Sequence, residues 1–385
     1  MPFFISTAAV CLIACHGGPA DHFATFAEAL SQDIATQIYA TGPALKKFEE
    51  HGIQVQIPFS LDHISPEEED SLAEQIADSC SNASVVITDM GHPFDIKVQK
   101  ALARRAVHVT RLAYYDNPEA YVPGGYSAVA AEVMQVAQGV LFANANLAQE
   151  EIYQAPGVKV DFGSRKKIAV GYYPAHQAEK IAKRRKQEQS SLRQALFQKN
   201  NLEDTGQNIL VYFGGNNEEY YSKTFPAFLS ILEEAIEQKD CSDLVIVLQQ
   251  HPGAKKQNLD RNLLEDWLSK QKNPHAPKVI ISDFNSDIAQ IVADGALYYQ
   301  TSMGPQFVLA GIPTLQIGHE TYEDILVKNR LCPSITSADQ WNQVIDSLDQ
   351  LNQEVPQEVI LKGLGIKTDW LQILEKAILK NPFPV

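Results

Sequence analysis

What this chain of 385 residues does not contain narrows its chemistry before any motif is sought. Cysteine is scarce: Cys11, Cys15, Cys80, Cys241 and Cys332 are scattered and odd in number, with no CxxC pair and no Cys/His group at metal-ligand spacing. A disulfide scaffold and a zinc motif are therefore not expected, and free, mostly buried thiols in a reducing compartment are. Positive charge is also short. Thirty-two Lys and Arg against 47 Asp and Glu leave a net charge of −15, a surface that repels nucleic-acid phosphates. Long apolar runs are missing. Residues 3–15 are nearly all apolar but too few to span a bilayer, and no Lys or Arg precedes them as in a secretory signal. Leu12-Ile13-Ala14-Cys15 resembles a lipoprotein cleavage box, yet a buried first strand explains the run better, and a cytoplasmic protein is the expectation. No GxxxxGK[ST] phosphate loop and no GxSxG elbow is present, and no GxGxxG follows the first strand, which weakens a dinucleotide oxidoreductase.

What is there is ordinary globular material, 45% hydrophobic and 21% charged, enough for two domain cores. Apolar runs of strand length at 8–15, 34–39, 53–57, 84–88, 107–112 and 139–142 alternate with helical patterns at 22–30, 43–50, 65–79, 95–105 and 128–138. Ser65-Pro66-Glu67-Glu68 is a strong helix start. A second series begins near residue 208, with strands at 208–213, 244–249, 278–281, 296–299 and 313–317 and helices at 220–238, 259–271, 287–292 and 306–310; a last amphipathic helix covers 368–379. Buried strands alternating with helices predict parallel sheets covered on both faces, and the polar, glycine-rich turns fall after the strands, the edge at which such sheets bind ligands. The expected division is 1–163, a connection at 164–206, a second domain at 207–367, and a terminal helix at 368–385. Lys183-Arg184-Arg185-Lys186, in the connection, reads as a solvated helix face; the functional alternative is a weak electrostatic contact with anionic lipid headgroups.

The most informative stretch runs from residue 279 to 318. A strand opens into Ser282-Asp283-Phe284, and a later one into Thr301-Ser302-Met303-Gly304-Pro305, where a helix starts; Gln306 to Gly311-Ile312-Pro313 completes it. Small residues at a helix start let a diphosphate reach free N–H groups. This stretch resembles the nucleotide-binding core of GT-B glycosyltransferases and of the related non-hydrolysing UDP-N-acetylglucosamine 2-epimerases. The resemblance implies that Asp283 and Phe284 contact the base, that Thr301, Ser302, Met303 and Gly304 hold the diphosphate, and that Gln306 meets the ribose. The family pattern has Glu at that last position, so the contact here would be neutral and weaker. Gly214-Gly215-Asn216 stands where such proteins face the donor phosphates, although a tight turn also needs glycine. Gln250-His251-Pro252-Gly253 resembles a His-Pro run of the 2-epimerases, with His251 near the phosphates and a plain turn residue as the alternative; Lys255 and Lys256 could add charge, but surface exposure explains them better.

In the first half, His16-Gly17-Gly18-Pro19 resembles the Gly-rich first loop of GT-B proteins, where a His serves as catalytic base; His16 is preferred to His22, with sheet and helix capping as the plain alternative. Asp89 and His92 follow the fourth strand, and Tyr115, Asp116 and Glu119 the fifth. In the 2-epimerases carboxylates of this domain act on the sugar, which makes Asp89, Asp116 and Glu119 the rival catalytic set. Gly17, Gly18, His22, His92, Tyr115 and Glu119 are the expected substrate-side residues, and His16, Asp89 and Asp116 the expected catalytic ones. The resemblance implies an α/β protein of two Rossmann-like domains facing each other across a cleft, with a nucleotide-diphosphate sugar, UDP favoured, as donor substrate. No tightly bound cofactor and no dedicated metal site is expected. The expected reaction is glycosyl transfer to a glycan, lipid-linked or protein acceptor; a nucleotide-sugar epimerase or hydrolase and a non-catalytic binding protein are the alternatives.

Overall fold

The computed structural model describes residues 8–32, 34–119, 125–149, 152–155, 158–161, 165–251, 258–351 and 355–379. Pro252, Gly253, Lys255 and Lys256, named above, lie outside these. In chain order the elements are β1 (Ala8–Ala14), α1 (Gly17–Ala29), β2 (Ile34–Ala40), α2 (Gly42–Glu50), β3 (Ile57–Pro58), α3 (Pro66–Ser79), β4 (Val85–Thr88), α4 (Pro93–Arg105), β5 (Thr110–Tyr115), α5 (Tyr126–Val136), β6 (Gly139–Phe142), β7 (Ile152–Ala155), β8 (Val158–Asp161), β9 (Lys166–Ala169) and α6 (Ala175–Lys199). There follow β10 (Asn208–Phe213), a π-helical turn (Tyr220–Thr224), α7 (Phe225–Gln238), β11 (Leu244–Gln249), α8 (Leu259–Lys270), β12 (Lys278–Ile281), α9 (Ser286–Val292), β13 (Gly295–Tyr298), α10 (Gly304–Leu309) and β14 (Thr314–Ile317). Last come α11 (Ile325–Lys328), β15 (Ser334–Ile335), α12 (Ala338–Ile345), α13 (Gln357–Gly363) and α14 (Trp370–Leu379). They form two compact units: residues up to Pro174 with those from Gly365 onward, and Ala175–Leu364.

The first unit is built on a parallel sheet in the order β3-β2-β1-β4-β5-β6-β9, beside the antiparallel hairpin β7-β8. β1 is apolar along its length because both of its faces are covered. Val10, Leu12 and Ala14 point to Phe23 and Phe26 of α1 and to Leu374 and Ile378 of α14. Cys11 and Ile13 point the other way, to Ile76 of α3 and to Val98 and Leu102 of α4. α14 closes this core from the end of the chain: Trp370 packs on Tyr172 with ring centroids 4.6 Å apart, and the Lys367 N–H donates to the Gly171 carbonyl at 2.8 Å. Ser65 and Glu68 make the capping box that starts α3, as the sequence predicts. The third strand is shorter than its apolar run, and β9 lies inside the segment expected as a connection.

The second unit repeats the order: β12-β11-β10-β13-β14-β15, all parallel. α6, the remainder of the expected connection, packs on its sheet through Ala178, Ile181, Leu196 and Phe197. The basic run on α6 is partly used up inside the unit. Arg185 Nη1 donates to the carbonyls of Gln290 and Ala293 at the end of α9, satisfying groups a helix end leaves unpaired, and Arg184 pairs with Glu188. Arg193 grips Asp204 with two nitrogens and reaches Asp294, whose carboxylate also accepts the Ile209 N–H at the start of β10. Lys180, Lys183 and Lys186 remain exposed. No helix among the described residues is long and apolar enough to cross a membrane.

Arg185→Met keeps the aliphatic stem but removes the donors to α9. It should lower unfolding stability by about 2–3 kcal/mol in denaturant titration. Lys183→Met on the exposed face should change it by less than about 0.5 kcal/mol.

Candidate active site

In both sheets the strand order reverses beside the first strand of the unit, between β1 and β4 and between β10 and β13. Such reversals leave a crevice at the carboxyl ends of the strands. At the first of them the Ala14 carbonyl is taken by the Thr41 N–H on the β2 side. The chain then turns, and the N–H groups of Cys15 and His16 donate to Asp89 Oδ2 at 2.9 and 3.0 Å. Asp89 is placed there by β4, its own N–H bound to the Ile13 carbonyl at 2.9 Å. Its carboxyl is fully buried, and His16 Nδ1 stands 3.6 Å from Oδ2, an ion-pair distance too long for a formed hydrogen bond.

Three further groups complete the cluster. His92 caps α4, its Nδ1 accepting the Phe94 N–H at 3.1 Å, and its ring centroid lies 5.6 Å from that of His16. Asp95, in the first turn of α4, is fully buried; it accepts the His92 N–H at 3.1 Å on Oδ2, and Cys15 Sγ lies 3.7 Å from Oδ1. Asp116, just beyond β5, accepts the Tyr126 hydroxyl at 2.7 Å, and its other oxygen lies where a Cβ on Gly18 would stand, 2.8 Å away. Gly91 has φ +135°, and a side chain there would run into the Tyr126 ring at 2.3 Å. Gly18 and Gly91 are therefore glycines because Asp116 and Tyr126 occupy their side-chain space.

Environment sorts these groups by proton affinity. The Asp89 carboxylate raises the His16 pKa, against the effect of burial. Burial, and then the charge on His16, lowers that of His92. Burial pushes Asp116 up to about 6 despite the Tyr126 hydrogen bond. Burial together with the charge of Asp89 holds Asp95 far above the usual carboxylate range, and burial beside the two carboxyls does the same to the Cys15 thiol. Sulfur and carboxylate oxygens of Cys15, Asp89 and Asp95 lie within 4.8 Å of one another, and with the thiol and Asp95 both kept as acids the trio holds protons. The cluster thus sets a base-like His on a carboxylate, next to a carboxyl that titrates close to neutrality.

Of the residues expected on the substrate side, His22 is a correction. It is buried on α1, its Nδ1 shares a 2.7 Å hydrogen bond with the Tyr114 hydroxyl, and its ring meets Tyr172 edge-on. Tyr115 is buried as well, its hydroxyl donating to the Glu119 carbonyl at 2.6 Å, so it shapes the loop after β5. The Glu119 N–H is accepted by Asn117 Oδ1. Gly17 and Gly18 open α1, directly after His16.

In the second unit the expected residues lie after the strands that the sequence assigns them to, with local reasons for several. Gly214 and Gly215 underlie Tyr220: a Cβ on Gly214 would stand 2.6 Å from its hydroxyl, and one on Gly215 3.0 Å from its ring. That hydroxyl donates to the buried Asp260, which also accepts from Gln250. Asn216 is exposed in an open depression of about 450 Å³ with Asn217, Tyr221 and Leu259. His251 is exposed at the end of β11, its pKa lowered by partial burial of the ring. Asp283 pairs with Lys199, and Phe284 packs on the apolar core of the unit. Thr301 Oγ1 accepts the Met303 N–H at 3.2 Å. Ser302 is exposed. Gly304 leaves room for Leu326, and Gln306 is half-buried in the first turn of α10. Sequence reading missed the polar group beside them. His319, after β14, lies 3.5 Å from Glu219 and 3.4 Å from Glu320, with Thr224 3.3 Å from Nδ1 and Tyr299 against its ring. These are donor types that a divalent cation accepts, and the two carboxylates are open to solvent without one. The signal available was His319 itself, a polar residue after a buried strand.

No family model matches the sequence, and no curated protein matches it. Solved structures do. A UDP-GlcNAc 2-epimerase from Neisseria meningitidis, bound to UDP-GlcNAc, superposes with a TM-score of 0.65 at 14% identity, over 97% of this chain and 100% of that one. A UDP-GlcNAc 2-epimerase from Methanocaldococcus jannaschii gives 0.63 at 12% identity, over 95% and 98%. A glycosyltransferase from Rickettsia africae gives 0.64 at 11% identity, over 97% and 99%. The protein therefore has an α/β fold of the GT-B type, with Rossmann-like sheets in both units. Its structural neighbours include UDP-GlcNAc 2-epimerases and a glycosyltransferase. At these identities the likeness carries the fold and leaves the activity to the residues.

The folded protein holds the Asp116 proton more tightly than the unfolded chain, where Asp titrates near ~3.9. The stability this adds is full below about pH 4 and is lost as pH rises towards about 6. Asp116→Asn should remove that component. Between these pH values, the wild-type protein should lose on the order of 2 kcal/mol relative to the variant in denaturant titrations, allowing for partial exposure of the carboxyl.

Proposed function

We propose that the protein transfers a sugar from a nucleotide-diphosphate sugar to a hydroxyl-bearing acceptor, with His16 as general base. The carrying observation is the pairing of His16 with the buried carboxylate of Asp89 at the strand-order reversal of the first sheet. A hydroxyl attacking an anomeric carbon must lose its proton as the bond forms, and an imidazole backed by a carboxylate accepts it and steadies the resulting charge. Asp116 is the acid of the cluster, able to carry a proton near neutral pH and to orient the acceptor through its carboxyl.

In the second unit, the segment from Thr301 to Gly304 would take the diphosphate, with Ser302 and Gln306 as polar contacts, and Phe284 would lie against the base. UDP is the favoured nucleotide, in line with the ligand bound to the Neisseria neighbour. Epimerisation of the nucleotide sugar itself is the second reading. It is favoured by the 2-epimerases among the structural neighbours, and by two carboxyls, Asp89 and Asp116, held at adjacent strand ends in different surroundings.

A thermal-shift series against UDP, GDP, CDP, TDP and their sugars should show stabilisation by one diphosphate, about 2.7 kcal/mol at 100-fold over its Kd. Failure of every one at millimolar concentration would sink the reading. With the donor known, His16→Ala should cut kcat by about 10²–10⁴-fold with little change in donor affinity. Turnover of the nucleotide sugar with no acceptor present would instead select the epimerase reading.

A further inference from the structure

We propose that Asp95 is a positioning residue that lends a proton to Asp89 and so sets the basicity of His16. This deepens the acid–base reading of the same site. Two unmet requirements in the buried cluster answer each other. Asp89 Oδ2 is occupied by two backbone N–H groups, whereas Asp89 Oδ1 is buried with no hydrogen-bond partner among the described residues. Asp95 is sealed in the first turn of α4, where both of its oxygens already accept, from the His92 N–H and from the Cys15 thiol. A second full charge beside Asp89 in that dry space would be severely penalised, so the carboxyl keeps a proton, and that proton needs an acceptor. The Asp89 carboxylate, one of whose oxygens lies within 4.8 Å of an Asp95 oxygen, offers one in its unpartnered Oδ1.

The groups facing this pair come from every neighbouring element: Cys15 and His16 from the turn after β1, His92 from the cap of α4, and Asp116 with Tyr126 from the ends of β5 and α5. Glu69 of α3 acts on His92 at longer range. His16 is the one whose proton affinity the arrangement governs. With a neutral Asp95 donating to it, Asp89 presents less than a full charge to the imidazole. With Asp95 also ionised, His16 would be locked as a cation and useless as a base. Asp95 never touches a substrate in this scheme; it acts through Asp89.

The test reads His16 directly, by NMR titration of its imidazole in the full-length protein, and so stands apart from whether any sugar is turned over. Asp95→Asn is permanently neutral and keeps both a donor and an acceptor; it should leave the His16 pKa within about 0.3 of wild type. Asp89→Asn should lower it by about one or more. Asp95→Ala, which strips the donor from Asp89, should raise it. A drop in Asp95→Asn as large as in Asp89→Asn would overturn the proposal, because Asp95 would then be a second anion. Equal titrations in Asp95→Ala and Asp95→Asn would also overturn it, since Asp95 would then be only a structural cap. A measurement on the unaltered protein completes the set. At pH 8, where Asp116 is ionised, infrared spectroscopy should still show the carbonyl stretch of a protonated carboxyl. Its absence would refute the shared proton.

Discussion

Asp89 sits where no water can share its charge, so the charge must be met by what surrounds it: the N–H groups of Cys15 and His16, the imidazole of His16, and the carboxyl of Asp95. That requirement fixes the turn between β1 and α1. With the Ala14 carbonyl bound to the β2 side and the next two amides bound to the β4 side, the chain can leave the sheet in one direction only. α1 then begins at Gly17 and brings Gly18 under Asp116. The parallel order of the sheet, the start of a helix and the electrostatics of the cluster are therefore one arrangement seen at three scales.

The second unit has the same strand order without the same kind of centre. At its reversal the glycines are filled from behind by Tyr220, whose hydroxyl is tied to Asp260. The two glycines thus leave room for the Tyr220 side chain, and the Gly214 N–H is itself held by the Gln249 carbonyl at 3.0 Å. Among the described residues, the ends of the other strands of this sheet carry His251, Thr301, Ser302 and His319. The first unit differs: its glycines make room for titratable groups. The titratable cluster is thus confined to one of two sheets of like topology.

Much of this was legible in the sequence, because a buried parallel strand has to be apolar on both faces and the residues after it have to be polar or small. His16, Asp89, His92 and Asp116 were found by that rule, and the structure places them at neighbouring strand ends. The rule failed where a residue's role depends on a partner distant in sequence. Asp95 reads as an ordinary acidic residue in a helix's first turn, and it becomes unusual only because the fold buries it beside Asp89 and Cys15. Tyr126 stands eleven residues beyond β5 and reveals itself only in the fold, by resting on Gly91 and donating to Asp116. His22 failed in the opposite sense. The sequence reading starts the helix at His22, as a substrate-side or capping residue, but α1 begins at Gly17, which turns the ring into the core against Tyr114. β9 and α6 were read as a connection because charge dominates their composition. Arg185 and Arg193 show why that misleads, since both carry their charge into the unit to meet carbonyls and carboxylates there.

The net charge of −15 sharpens the choice of ligand chemistry. A protein this acidic attracts a dianionic diphosphate only if the local field at the binding loop opposes the global one, and at a distance beyond roughly 8–10 Å salt screens the rest. Each carboxylate taken away from that loop therefore counts in favour of binding. Gln306 stands at a position where the resembling proteins carry Glu. A carboxylate there gains a stronger bond to a ribose diol but adds repulsion towards the phosphates, whereas an amide bonds the diol more weakly and adds none. In a chain with surplus negative charge the neutral residue loses less than it would in a basic one. The departure at Gln306 is thus compatible with nucleotide recognition.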